Sequence, residues 1–258
     1  MRRLALIPFL AIVAWVAGAQ AAPGPKLLLH PLPHKIVTGA PYSATAVTIF
    51  RQNLADGNRI VQRHRFLVAR DREGRTRKQL SLGPMGRWAA APVLIVDPVG
   101  HTSYLLQPRS KTAIRMPYPA APAPVAHAPL PPSPPGGHAF SGDDFFYWRS
   151  RAARRGSVVS LGERRFDGIE ARGKKITRVI PAGRIGNRLP IAVTDVTWYA
   201  PALHAVVLSI HRDPRTGTHI YRLENIKTTD PNPSLFQVPK GYTLAKPKHR
   251  FFFHFRNR

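Results

Sequence analysis

A mostly-β chain of the α+β class, built on one antiparallel sheet of long strands, is predicted by three features of the sequence. Runs rich in Val, Ile, Thr and aromatic residues recur between short turn signals such as Asp56-Gly57 and Asp167-Gly168. Proline crowds into the places where that texture stops, as expected of a residue that cannot donate to a sheet ladder. Only one stretch carries the capping and charge pattern of a helix.

In chain order, residues 1–21 place Arg2 and Arg3 ahead of an apolar run from Leu4 to Val16 and an Ala19-Gln20-Ala21 ending. An export signal cut after Ala21 is expected, because the run is short for a membrane span and lacks a charged stop-transfer flank. Residues 22–41, with prolines at close intervals, read as a tether. From Tyr42 the texture becomes that of a meander: YSATAVTIF, the Asp56-Gly57 turn, RIVQRHRFLVAR, a turn at Gly74, then strands in APVLIVDPVG, HTSYLLQP and KTAIRM.

Residues 117–137, PYPAAPAPVAHAPLPPSPPGG, carry too many prolines for helix or sheet and form a polyproline insertion within a single domain spanning 42–244. The following SGDDFFYWRSRAARRG has acids in its first turn, arginines in its last and Gly156 as a stop, so one helix is expected over 141–156. Strands then resume in SVVSLGERRF, IEARGKKITRVI, PIAVTDVTWYA, HAVVLSIHR and THIYRLENIKTT. The run DPNP ends the last of these, and Leu235, Phe236 and Val238 are expected to add a short edge strand closed by Pro239 and Gly241. Residues 245–258 form a basic aromatic tail.

Charge bounds the partners. The chain carries 39 basic against 13 acidic side chains, a formal charge of +26. Such a charge favours anionic partners, and outside the cytoplasm these are an anionic membrane surface or lipopolysaccharide phosphates, with nucleic acid disfavoured by the compartment. The composition, rich in Arg, Ala and Pro, is also what a GC-rich genome produces. With no cysteine, disulfides, thiolate metal sites and lipid attachment at a cysteine are excluded.

The segment YRLENIKTTDPNPSLFQVPKGYTL resembles the closing segment of the periplasmic lipoprotein-carrier (LolA-like) superfamily, in which a last long strand is followed by a Pro-Lys-Gly-Tyr ending. In looser form DGNRI, RDREGRTRKQ, VDPVG, IPAGRIGN, WYAP and DPRTGTHIYRL resemble secreted proteins of acidobacteria and other soil bacteria. What the superfamily resemblance implies is a curved antiparallel half-barrel whose concave apolar face is covered by helices and holds acyl chains. This chain offers one helix and a Pro-rich insertion where several covering helices are the pattern.

No catalytic or cofactor motif emerges: zincin, Walker and dinucleotide signatures are absent. Asp97, His101 and Ser103 in VDPVGHTSY are close in sequence, yet Pro98 and Gly100 mark a hairpin turn and no oxyanion signature follows, so turn chemistry is expected. His211, Asp213 and His219 lie around a turn tip, where a solvated polar surface is expected rather than a metal site. In IPAGRIGNRLPI the glycines satisfy positive φ in a long connection; Arg184 and Arg188 are its candidate anion contacts, through a nest of backbone N–H groups. Lys246, Lys248, Arg250 and Phe252 of the tail combine cations with rings that suit a membrane surface. If the sheet carries a ligand, strand patterning nominates Phe66, Trp198, Leu208 and Tyr221 as its lining, and otherwise as plain core. The expected function is that of an exported, non-catalytic, periplasmic or secreted protein binding a lipid or lipoprotein. The alternative is an envelope interaction or sensor module that packs the same sheet on a protein partner.

Overall fold

The computed structural model describes residues 36–80, 91–118 and 156–246. The expected signal, the tether up to residue 35, the helix up to residue 155 and the Pro-rich insertion beyond Tyr118 lie outside the described residues, as does the tail beyond Lys246. The last tether residues are packed: Ala40 is buried, Gly39 N donates to Arg72 O at 2.8 Å and Ala40 O accepts from Arg70 Nη2 at 2.8 Å. The described residues build one open, curved, twelve-stranded sheet, the half-barrel architecture expected of a LolA-like chain. Its first half runs β1 (Tyr42–Asn53), β2 (Arg59–Arg70), β3 (Thr76–Leu80), β4 (Val93–Asp97), β5 (Thr102–Gln107) and β6 (Thr112–Pro117). Its second half runs β7 (Ser157–Phe166), β8 (Ile169–Ile180), β9 (Ile191–Ala200), β10 (Ala205–Asp213) and β11 (Gly217–Lys227), and β12 (Thr243–Ala245) follows at the end.

The strand order β12-β6-β5-β4-β3-β2-β1-β11-β10-β9-β8-β7 makes each half a meander, and β1 joins them by pairing β2 on one side and β11 on the other. Local turns explain most neighbours. Asp56 Oδ1 accepts from Asn58 N at 2.9 Å in the β1–β2 turn, and Asp71 Oδ1 accepts from Glu73 N at 3.0 Å and Arg75 N at 2.9 Å in the β2–β3 turn.

Curvature is visible in two contacts at the same end of the sheet. Arg70 of β2 donates to the carbonyl of Leu203, which lies in the short 3-10 turn Pro201–Leu203 between β9 and β10. Ile226 N of β11 donates to Asp167 Oδ2 in the β7–β8 turn at 3.1 Å. Each contact links segments three places apart in the sheet, about 14 Å in a flat one. Rolling of the sheet brings them together.

The closing segment departs from the expected edge strand. Pro233–Phe236 is a 3-10 turn, with Asn232 Oδ1 accepting from Ser234 N at 3.0 Å and proline at its start. Its Phe236 is buried against Ala69, Val93, Ile95, Leu106 and Ala113, and Val238 and Tyr242 pack beside it. Anchoring a large ring on the sheet takes precedence over extending the ladder. The strand that closes the sheet is instead β12, which runs parallel to β6, with Thr243 N donating to Lys111 O at 2.8 Å.

Gly217 opens β11 at φ +103°, and a Cβ there would collide with the carbonyl oxygen of Arg51 on β1. Gly217→Ala is expected to destabilise the fold by about 3 kcal/mol, read as a lowered denaturant midpoint. An unchanged midpoint would mean that the β10–β11 turn does not seat against β1 as described.

Candidate functional site

The two faces of the sheet are told apart by alternation. In β2, Phe66 and Arg70 are buried and His64 and Val68 partly so, while Arg63, Arg65 and Leu67 are exposed. In β10 and β11, Val207, Ser209, His211, Asp213, Tyr221 and Leu223 are buried, while Leu208, Ile210, Arg222 and Glu224 are less so. Pairing puts these sets on one face, because Ala46 faces Phe66 and Leu223, and Thr48 faces His64 and Tyr221, while Val47, Ile49 and Ala69 are buried on the other face. Arg70 reaches Leu203 from this face, so it is the inner one.

The inner face changes character along the strands. At the Arg70 end it carries Tyr42, Ala44, Ala46, Phe66 and Leu223, all within one apolar cluster. One row further, His64, Thr48, Tyr221, Ser209 and Thr197 lie side by side across five strands. The next row holds Phe50, His219, His211 and Asp195, with His211 Nδ1 3.0 Å from Asp195 Oδ1 and the Phe50 and His219 rings 4.7 Å apart. Thr48 Oγ1 is buried in the middle row without a hydrogen-bond partner among the described residues. Burial holds the His64 imidazole below its ordinary pKa, so it stays neutral at physiological pH. Thr48 and His64 were not singled out from the sequence, because a Thr or His within a β-branched run looks like any strand residue.

Of the four nominated lining residues, Phe66 and Tyr221 lie on the inner face, 1% and 5% exposed. Trp198 and Leu208 face one another directly on the opposite side, since their neighbours Thr197 and Ser209 pair on the inner one. Trp198 covers Gly173, where a Cβ would lie 2.8 Å from the indole, and it stacks at a tilt on Phe166 at 5.6 Å. Its ring fills the outer side of a glycine position. All four nonetheless belong to, or pack against, the same hydrophobic cluster.

Arg184 and Arg188 are exposed in the β8–β9 loop. The backbone N–H groups of that loop point inward: Gly183 N donates to Asn187 O at 2.7 Å, Arg184 N to Pro181 O at 3.3 Å, Ile185 N to Asn187 Oδ1 at 3.1 Å and Gly186 N to Gly183 O at 3.3 Å. These four are committed within the loop and form no open nest. Lys246 is exposed at the end of the described residues, and Lys248, Arg250 and Phe252 lie outside them.

Asp97 Oδ1 caps its own turn, accepting from Val99 N and Gly100 N at 2.9 Å each. Asp97 pairs with Thr102, so Ser103 points to the opposite face and no triad assembles. His211 and His219 are cross-strand neighbours with ring centroids 6.2 Å apart. Asp213 is taken up by Arg215, whose Nε and Nη2 donate at 3.0 and 2.7 Å to its two oxygens. Among the described residues no group of three or more His, Asp or Glu side chains is placed to hold a metal ion, and no helix is long and apolar enough to cross a membrane.

No protein-family model matches the chain, and no curated protein does. Solved structures that it is similar to include an uncharacterized conserved protein from Thermus thermophilus, at 8% identity over 81% of this chain and 91% of that one, with a TM-score of 0.41. They also include the Pseudomonas aeruginosa MucA/MucB complex, at 12% identity and a TM-score of 0.39 over 77% of this chain and 56% of that one, so this chain spans little more than half of that length. A LolA superfamily protein from Nitrosomonas europaea matches at 10% identity over 76% of this chain and 90% of that one, with a TM-score of 0.29.

Burial raises the Asp213 carboxyl pKa, but the hydrogen bonds and charge of Arg215, with the charge of Arg178, outweigh it and hold the group below its ordinary 3.8. A depressed carboxyl stabilises the fold above its unfolded pKa, and that contribution disappears as pH falls through the lower folded value. Asp213→Asn is therefore expected to cost about 1–2 kcal/mol at neutral pH. The difference from the parent should close below pH 3.8. A pH series of urea midpoints checks this, and a difference that stays constant into acid would assign the cost to shape rather than charge.

Proposed function

We propose that this chain is an exported envelope protein that binds a hydrophobic or amphiphilic ligand, a lipid or lipoprotein, on the inner face of its sheet and performs no bond chemistry. One observation carries this reading. The inner face passes from Ala44, Ala46, Phe66 and Leu223 to a hydrogen-bonding row that includes the Thr48 hydroxyl, which has no partner among the described residues. An acyl chain lying along the first part would gain about 0.8 kcal/mol per buried methylene, and its polar end would reach Thr48 and Tyr221. The export signal read in residues 1–21 supplies the compartment in which such a ligand is met.

One feature favours a second reading, that of a module for a protein partner. Strand β7 is the last in the sheet, and Val158, Val159 and Leu161 on it are exposed. An edge that pairs with no further strand among the described residues and carries apolar side chains accepts an added strand. Hydrogen exchange confined to residues 157–166 on adding a partner would favour it.

Native mass spectrometry of the protein purified from bacterial envelope, followed by lipid extraction, tests the first reading. Stoichiometric acyl lipid or acylated peptide is expected, and Ala46→Phe, which sets a ring between Phe66 and Leu223 on the inner face, should abolish it. That substitution should leave a folded protein, at a cost of about 1–3 kcal/mol for overpacking. A clean protein mass that takes up no added lipid would overturn the ligand reading.

A further inference from the structure

We infer that the β8–β9 loop, residues 181–190, is a membrane-docking tip that inserts Ile185 and Leu189 into an anionic lipid surface and holds headgroups with Arg184 and Arg188. The loop is built without a core of its own. Asn187 organises it, its Nδ2 donating to Pro181 O and Leu189 O at 2.8 Å each while its Oδ1 accepts from Ile185 N. Pairing of Gly183 N with Asn187 O closes the base. Polar bonds thus fix the shape, and the two aliphatic side chains are left outside it, Ile185 54% and Leu189 71% exposed. The frame holds the two aliphatic groups four residues apart on one loop, each flanked by an arginine.

Charge selects the occupant. Between Glu170 and Asp195 the chain carries six cations and no acid; Arg172, at the far end of the hairpin, pairs with Glu163, while Lys174, Lys175, Arg178, Arg184 and Arg188 follow toward the loop. Arg184 and Arg188 flank the exposed pair in sequence. Cations beside aliphatic groups at a projecting tip match a bilayer interface, where headgroup phosphates meet the first methylenes. Near an anionic surface each cation contributes about 1 kcal/mol, and this falls off within a Debye length. Docking by the loop is independent of what the inner face binds.

Flotation of the full chain with phosphatidylcholine vesicles, with and without added phosphatidylglycerol, separates tip insertion from bulk charge. The parent should float only with phosphatidylglycerol present. Ile185→Ser/Leu189→Ser keeps every charge and should weaken binding about tenfold, since it removes two buried aliphatic groups. Arg184→Ala/Arg188→Ala should weaken it by a similar factor at low salt and by less at high salt. All four positions are exposed, so circular dichroism should confirm folded variants. Undiminished binding by the Ile185→Ser/Leu189→Ser variant would overturn the inference and assign attraction to charge elsewhere. Failure of the parent to float would overturn it too, and binding instead to an acidic protein surface would move the loop to a protein ligand.

Discussion

The pairing of β1 with β11 is the constraint on which the rest of the structure depends. Both halves of the chain are local meanders whose neighbours follow from short turns, and among the described strands only this ladder and the three-residue β12–β6 pairing bring distant segments together. It runs from Ser43–Lys227 to Arg51–Thr218 and is interrupted once, between Ser43 and Thr45. Closing so long a loop costs entropy, and the return is the burial of Val47, Ala46 and Leu223 at the centre of the sheet.

Joining the halves also makes the inner face continuous. Thr48 of β1 acquires His64 from the first half and Tyr221 from the second, so the row that carries the binding argument exists only across the joint. The same continuity lets Arg70 of β2 reach Leu203 near β9, which ties the two halves again at one end of the roll. Outside this ladder the surface differentiates. Phe236 anchors the closing segment on the first half, while the second half projects its cationic β8–β9 loop away from the packed region.

Much of this architecture was legible in the sequence because strands and turns are local. Alternation in RIVQRHRFLVAR and the Asp167-Gly168 turn announce themselves without reference to the rest of the chain. Strand β3, Thr-Arg-Lys-Gln-Leu, did not, since its residues are mostly polar and its order comes from neighbours on both sides. Strand β12 is three residues long and is defined by β6, far away in sequence. The site was less legible than the fold, because faces depend on register. Bulges between Ser160 and Gly162 and between Val206 and Leu208 shift the alternation, and Trp198 and Leu208 fall on the face opposite Phe66 and Tyr221. Asn187 illustrates the same limit: its role as a frame for four backbone groups is a matter of loop geometry that residue type alone does not convey.

Amide hydrogen exchange resolved along the chain tests the central claim, that one sheet is held together at the β1–β11 ladder. The amides of residues 45–50 and 219–224 should be among the slowest to exchange and should open together in one cooperative event that also releases both meanders. Early, separate exchange of these two segments, with residues 59–70 and 191–213 still protected, would show two independently stable halves and contradict the account.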